Sequence, residues 1–83
     1  MNSVDIKSAY DILYRYFTKT ELRGLYRKKG FDASESDTIR KHEYNAELLN
    51  ELYFRIEDES EKENIASAAK VFRNLADEEW VNI

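Results

Sequence analysis

The sequence predicts an all-α protein, a small compact bundle of about four helices in one domain of residues 1–83, with the last two helices the longest. Proline is absent and only two glycines occur among the 83 residues, so little interrupts a helix. Apolar residues recur at steps of three and four in four segments. Cap-forming residues lie between these segments.

Helix 1 is predicted from about Val4 to Phe17, with Ser3 as its N-cap. Its polar stripe is narrow, and apolar or aromatic side chains cover most of its circumference. Helix 1 is therefore expected to be either the central helix of the bundle or half of an interface. The residues that recur at helical spacing are Ile6, Ala9, Tyr10, Leu13, Tyr14, Tyr16 and Phe17.

Helix 2 is predicted to begin at Thr18, where Thr18 and Glu21 have the spacing of a capping box. It is predicted to end at Gly30, a residue suited to the left-handed position after a helix, with Phe31 as the accompanying hydrophobic contact. The side chains predicted to face inward are Leu22, Leu25 and Tyr26.

Residues 31–37 form the predicted loop before helix 3, with Ser34 or Ser36 as the cap, and helix 3 is predicted to extend to Ile56. A heptad-like seam supports this prediction. Its members are Ile39, His42, Ala46, Leu49, Tyr53 and Ile56, with Leu48 and Leu52 beside them.

Helix 4 is predicted to start at a second capping box, Ser60 to Glu63, and to continue to the C-terminus. Its spacing of apolar residues is that of an amphipathic helix with one buried face. The predicted apolar face consists of Ile65, Ala68, Ala69, Phe72, Leu75, Ala76, Trp80 and Ile83.

Composition argues against several classes of protein. Without cysteine there are no disulfides, thiolate nucleophiles or Cys-based zinc sites, and a cytoplasmic protein is expected. Neither a signal-peptide pattern nor an apolar run of about 20 residues is present, so no membrane association is expected. With one histidine and no glycine-rich phosphate loop, the sequence predicts no enzyme and no cofactor, and it assigns no role to His42.

Charge is divided unevenly along the chain, which has a net charge of −4. The first 42 residues carry +3 and the remainder carries −7. Two surfaces are therefore candidates for binding a charged partner, a basic one on helix 2 and an acidic one at the junction of residues 57–63. The basic cluster has an alternative explanation as an ordinary solvent-exposed helix face. The acidic cluster has one as well, because acids at the start of helix 4 interact favourably with the helix dipole.

The segment 32–43 resembles the calcium loop of the EF-hand family. The resemblance implies calcium ligands at loop positions one, three, five, seven and twelve. Asp37 stands where the family has glycine, and serines replace two of the usual carboxylates. An N-capped loop before a helix is the alternative interpretation. The implied ligands are Asp32, Ser34, Ser36, Thr38 and Glu43.

Helices 2 and 3 also resemble a helix-turn-helix unit, which implies DNA binding by the start of helix 3. The turn is several residues longer than in that family, and the overall charge is negative. The cations implied to contact DNA are Arg23, Arg27, Lys28, Arg40 and Lys41.

The function favoured by the sequence is a non-enzymatic helical protein-interaction module, such as a small bacterial or phage regulator or inhibitor that docks on a protein partner. The alternative functions are a helix-turn-helix-like DNA-binding regulator and a degenerate EF-hand-like calcium binder at residues 32–43. The alternative partners are a second copy of the chain, which would form a homodimer, and a nucleic acid. The surplus aromatic surface of helix 1 and the basic face of helix 2 support docking. The predicted partner-binding residues are Arg23, Tyr26, Arg27, Lys28, Tyr10 and Tyr14.

Overall fold

The computed structural model describes residues 5–82 and confirms the all-α fold class. This part of the chain contains four helices and no strand, and the last two helices are the longest. No helix within it has the length and apolar character needed to cross a bilayer. The helices are α1 (Ile6–Tyr16), α2 (Lys19–Lys28), α3 (Glu35–Tyr53) and α4 (Glu59–Val81).

The start of α1 differs from the predicted start. Asp5 has an extended backbone, and its carboxylate accepts a hydrogen bond from the Ser8 amide at 2.8 Å, so Asp5 is the N-cap. The predicted cap, Ser3, and the predicted first residue, Val4, lie outside the described residues.

Both predicted ends of α2 are confirmed. Thr18 accepts a hydrogen bond from the Glu21 amide, and the Glu21 carboxylate accepts one from the Thr18 amide, which completes the capping box. At the other end Gly30 has a φ of 78°, and the Phe31 amide donates to the Tyr26 carbonyl. This is a Schellman motif, which requires the left-handed conformation at the glycine.

One of the two predicted caps of α3 is confirmed, and the helix ends earlier than predicted. Ser34 is the N-cap and accepts a hydrogen bond from the Asp37 amide, so the helix begins at Glu35 inside the predicted loop. The helix ends at Tyr53, because the chain must turn before α4 to let α3 and α4 pack side by side. Ile56 lies in that turn and is half-buried against the core.

The predicted cap of α4 is wrong. Asp58, not Ser60, is the N-cap, and its carboxylate accepts hydrogen bonds from the Ser60 and Glu61 amides. Ser60 is instead the second residue of the helix, which begins at Glu59. The carboxylate, two residues upstream, provides the acceptor that the exposed amides need.

Alanine substitutions at the two glycines are expected to change stability in opposite directions. Gly24 lies inside α2 with open space around its Cβ position, so Gly24→Ala should stabilise the fold by about 0.5–1 kcal/mol. Gly30→Ala also meets no clash, but its positive φ should cost about 1–2 kcal/mol. Thermal unfolding of both variants measures these changes in stability. Equal changes in the two variants would contradict the assignment of Gly30 to the left-handed position after α2.

The core lies mainly between α3 and α4, and α1 packs against α4. The helix α1 contributes Ala9, Ile12 and Leu13 to this core, whereas Tyr14 on its other side is 37% exposed. Helix α1 is thus a flank of the bundle and not its centre. Its outward aromatic side chains border the groove described next.

Candidate binding groove

A groove of about 350 Å³ opens between α1, α2 and the first half of α3, and we call it the basic groove. Its walls include three tyrosines, Tyr10, Tyr14 and Tyr26, together with Leu22. The ring centroids of Tyr10 and Tyr14 are 5.7 Å apart. Tyr10 is also held edge-on against the buried Phe72, with centroids 4.9 Å apart. The aromatic wall is therefore anchored directly in the core.

Three cations line the basic groove, Lys19 and Arg23 from α2 and Lys41 from α3. The Lys19 ammonium lies 5.3 Å from the Tyr14 ring centroid, and that of Lys41 lies 5.7 Å from the Tyr26 centroid. Within residues 5–82 none of the three cations forms an ion pair, and no Asp or Glu lines the groove. The groove therefore carries positive charge that no carboxylate of its lining balances.

The α3 side of the groove contains His42, to which the sequence assigned no role. Its ring is buried and stacks on Phe72 with centroids 6.2 Å apart. The Nδ1 atom of His42 lies 2.6 Å from Oε1 of Glu79 on α4. Through this contact, the α3 side of the groove packs against the C-terminal end of α4. Thr38, one turn before His42, completes the lining from α3.

A buried amide, Asn45, fixes one tyrosine of the groove. Asn45 is fully buried, and its Oδ1 accepts a hydrogen bond from the Tyr26 hydroxyl. Burial is the main reason that the pKa values of Tyr26 and Tyr10 lie above the usual value, and neighbouring tyrosines raise both further. Both phenols therefore stay protonated at neutral pH and keep their hydrogen-bond donors.

The structure brings together four of the six predicted partner-binding residues. Tyr10, Tyr14, Arg23 and Tyr26 all line the basic groove. The other two, Arg27 and Lys28, are exposed on α2 outside the lining.

Several lining residues were not predicted from the sequence to contact a protein or DNA partner. One of these had a signal, because Lys19 is four residues before Arg23 and thus on the same face of the helix. The others depend on how α3 packs against α1 and α2, which periodicity does not report. The missed residues are Lys19, Leu22, Thr38 and His42.

Only two of the five cations assigned to DNA binding line the basic groove. Arg23 and Lys41 line the groove, whereas Arg40 pairs with Asp37 at 2.9 Å. The first turn of α3, where a recognition helix would meet DNA, also carries Glu35. Acidic side chains at this position oppose contact with phosphates.

The proposed calcium ligands are not arranged as an EF-hand loop. Ser36 and Thr38 lie within the first turns of α3, and Glu43 lies further along the same helix. Ser34 caps that helix, and its amide donates to Asp32 Oδ1 at 2.7 Å. No cluster of three or more His, Cys, Asp or Glu residues suited to a metal occurs in residues 5–82. The segment has the geometry of an N-capped helix start.

The acidic junction of residues 57–63 is partly explained by local structure. Asp58 caps α4, and Glu61 accepts a hydrogen bond from the Tyr16 hydroxyl at 3.3 Å. Acids in the first turn also interact favourably with the helix dipole. These contacts account for part of the cluster without a binding partner.

The basic groove is thus the concave surface on which four of the six predicted partner-binding residues converge. Comparison with protein-family models, curated proteins and solved structures found no match to this chain.

Proposed function

We propose that this protein is a non-enzymatic interaction module that docks a protein partner in the basic groove. The observation that carries the proposal is the convergence of Tyr10, Tyr14, Tyr26 and Arg23 on one open groove. Tyrosine and arginine are enriched among the residues that dominate binding energy at protein interfaces. By occupying a functional surface of its partner, such a module would act as a regulator or inhibitor.

Two of the groove tyrosines are held in fixed positions, which supports the same proposal. Tyr10 packs against the buried Phe72, and the Tyr26 hydroxyl is held by the buried Asn45. Side chains that are already fixed lose little conformational entropy when a partner binds. Tyr14 is more exposed than either, so it presents a face that a partner would cover.

Site-specific photo-cross-linking tests this proposal. We expect p-benzoylphenylalanine in place of Tyr14 to cross-link a defined protein in cells of the source organism. In the same chain, Arg23→Glu with Lys41→Glu should remove most of the cross-link, because both cations line the groove. Circular dichroism should confirm that the double variant remains folded.

The matched control is Lys70→Glu with Arg73→Glu. It makes the same change in net charge at two exposed cations outside the groove, and the cross-link should persist. Equal loss in both double variants would show that overall charge, not the groove, governs the interaction. Cross-linking of nucleic acid in place of protein would contradict the proposed function.

A further inference from the structure

We infer that the basic groove recognises an acidic segment of its partner that also carries one large apolar or aromatic anchor. This inference rests on the proposed function and specifies the chemistry of the ligand. Two properties of the groove support the inference. Its cations form no ion pairs within the described chain, and its walls between the cations are apolar.

The charge of the groove is unusual for this protein. The chain is acidic, with 17 Asp and Glu residues against 13 Lys and Arg, yet none of the acids lines the groove. Arg40, a nearby cation outside the lining, is paired with Asp37. Lys19, Arg23 and Lys41 instead lack a carboxylate partner within the described chain. Their ammonium and guanidinium groups therefore match carboxylates supplied by a ligand.

The cations lie on two helices, and this arrangement determines where the carboxylates of a ligand can pair. Lys19 and Arg23 lie one turn apart on α2, whereas Lys41 lies on α3. Cations from two helices thus border a common space, so carboxylates on both sides of a ligand segment find partners. Lys41 is held in place by a hydrogen bond of 2.9 Å to the Asp32 carbonyl and forms no ion pair with the Asp32 carboxylate. Hydrogen bonds from Ser34 are the main cause that lowers the pKa of that carboxyl group, and the charge of Lys41 helps to lower it.

The walls between the cations offer an apolar surface against which a large side chain of the ligand can pack. Tyr10, Tyr14 and Leu22 present two aromatic rings and a buried aliphatic side chain to the groove. An aromatic ring packs favourably against tyrosine faces and edges, and a carboxylate does not. The preferred ligand therefore has an apolar or aromatic anchor flanked by acidic residues. A purely acidic peptide would pair with the cations but leave the apolar walls without a contact.

A nucleic acid fits this surface less well. A duplex extends past the groove and meets acids close to the lining residues, such as Glu21 at the start of α2 and Glu35 at the start of α3. Repulsion between these acids and phosphates opposes binding of a long polyanion. A short acidic peptide segment is compatible with the groove itself, since neither acid is among its lining residues.

Titration with synthetic peptides tests the inference. The probe is a fluorescently labelled 12-residue peptide with one central tryptophan flanked by glutamates. We expect it to bind the wild-type chain, with affinity falling about tenfold or more for Arg23→Glu with Lys41→Glu, and falling as salt rises. A peptide with alanine in place of tryptophan should bind more weakly, and one with lysines in place of glutamates should not bind.

The controls separate this inference from the proposed function. The variant with Lys70→Glu and Arg73→Glu, two exposed cations outside the groove, should bind the acidic peptide nearly as well as the wild type. Equal binding of the lysine peptide, or no effect of Arg23→Glu with Lys41→Glu, would overturn the acidic specificity. If a protein still cross-links at position 14 in that case, docking in the groove stands and only the assigned ligand chemistry is wrong.

Discussion

Phe72→Ala is expected to lower the free energy of unfolding by about 3–5 kcal/mol. Phe72 is fully buried in α4 and contacts both Tyr10 and His42, so its removal leaves a cavity beside the basic groove. Domains of this size are often stable by only about 5–15 kcal/mol, and the variant should approach the unfolding threshold. Urea denaturation followed by far-UV circular dichroism measures the loss.

Phe54→Ala is the matched control for this substitution. Phe54 is 82% exposed at the C-terminal end of α3, and its truncation should change stability by less than about 0.5 kcal/mol. If the two variants lost similar stability, the assignment of Phe72 to the core would be wrong.

Asn45→Asp is expected to destabilise the protein by about 3–5 kcal/mol at neutral pH. The change preserves shape but places a carboxylate at a fully buried position beside the Tyr26 hydroxyl. No cation forms an ion pair at that position in the described chain. Desolvation should therefore hold the pKa of the new carboxyl group above its unfolded value of about 3.9.

This pKa shift gives the variant a characteristic pH dependence. Because the folded state holds the proton more tightly, the variant should be most stable, relative to its control, near and below pH 3.9. Its relative stability should fall as pH rises through the folded-state pKa. The control is Asn50→Asp, the same change at an exposed position of α3. Parallel pH profiles of the two variants would contradict the burial of Asn45.

The sequence predicted the fold class well because helix periodicity and local capping are encoded by nearby residues. The capping box at Thr18 and the left-handed Gly30 needed only residues within one turn. The start of α4 was harder, since Asp58 and Ser60 both have side chains that cap helices. Ile56 continues the apolar spacing of α3 although the chain has already turned, so periodicity extended the helix too far.

The candidate site was only partly predictable. Aromatic excess on helix 1 indicated Tyr10 and Tyr14, and the basic face of helix 2 indicated Arg23. His42 was expected to lie on the seam, but its place in the groove depends on packing of α3 against α1 and α2. Residues such as Tyr10 and His42, more than thirty positions apart, are brought together by tertiary structure that helical periodicity does not encode.

The positions at which a photo-cross-linker captures the partner show whether docking occurs in the basic groove. We expect p-benzoylphenylalanine in place of Tyr14 to capture the protein partner, and the same group in place of Phe54 or Glu57 to capture none. Both of those positions are exposed and lie outside the groove, at or near the acidic junction. Capture at position 57 but not at position 14 would contradict the account and assign docking to the acidic junction.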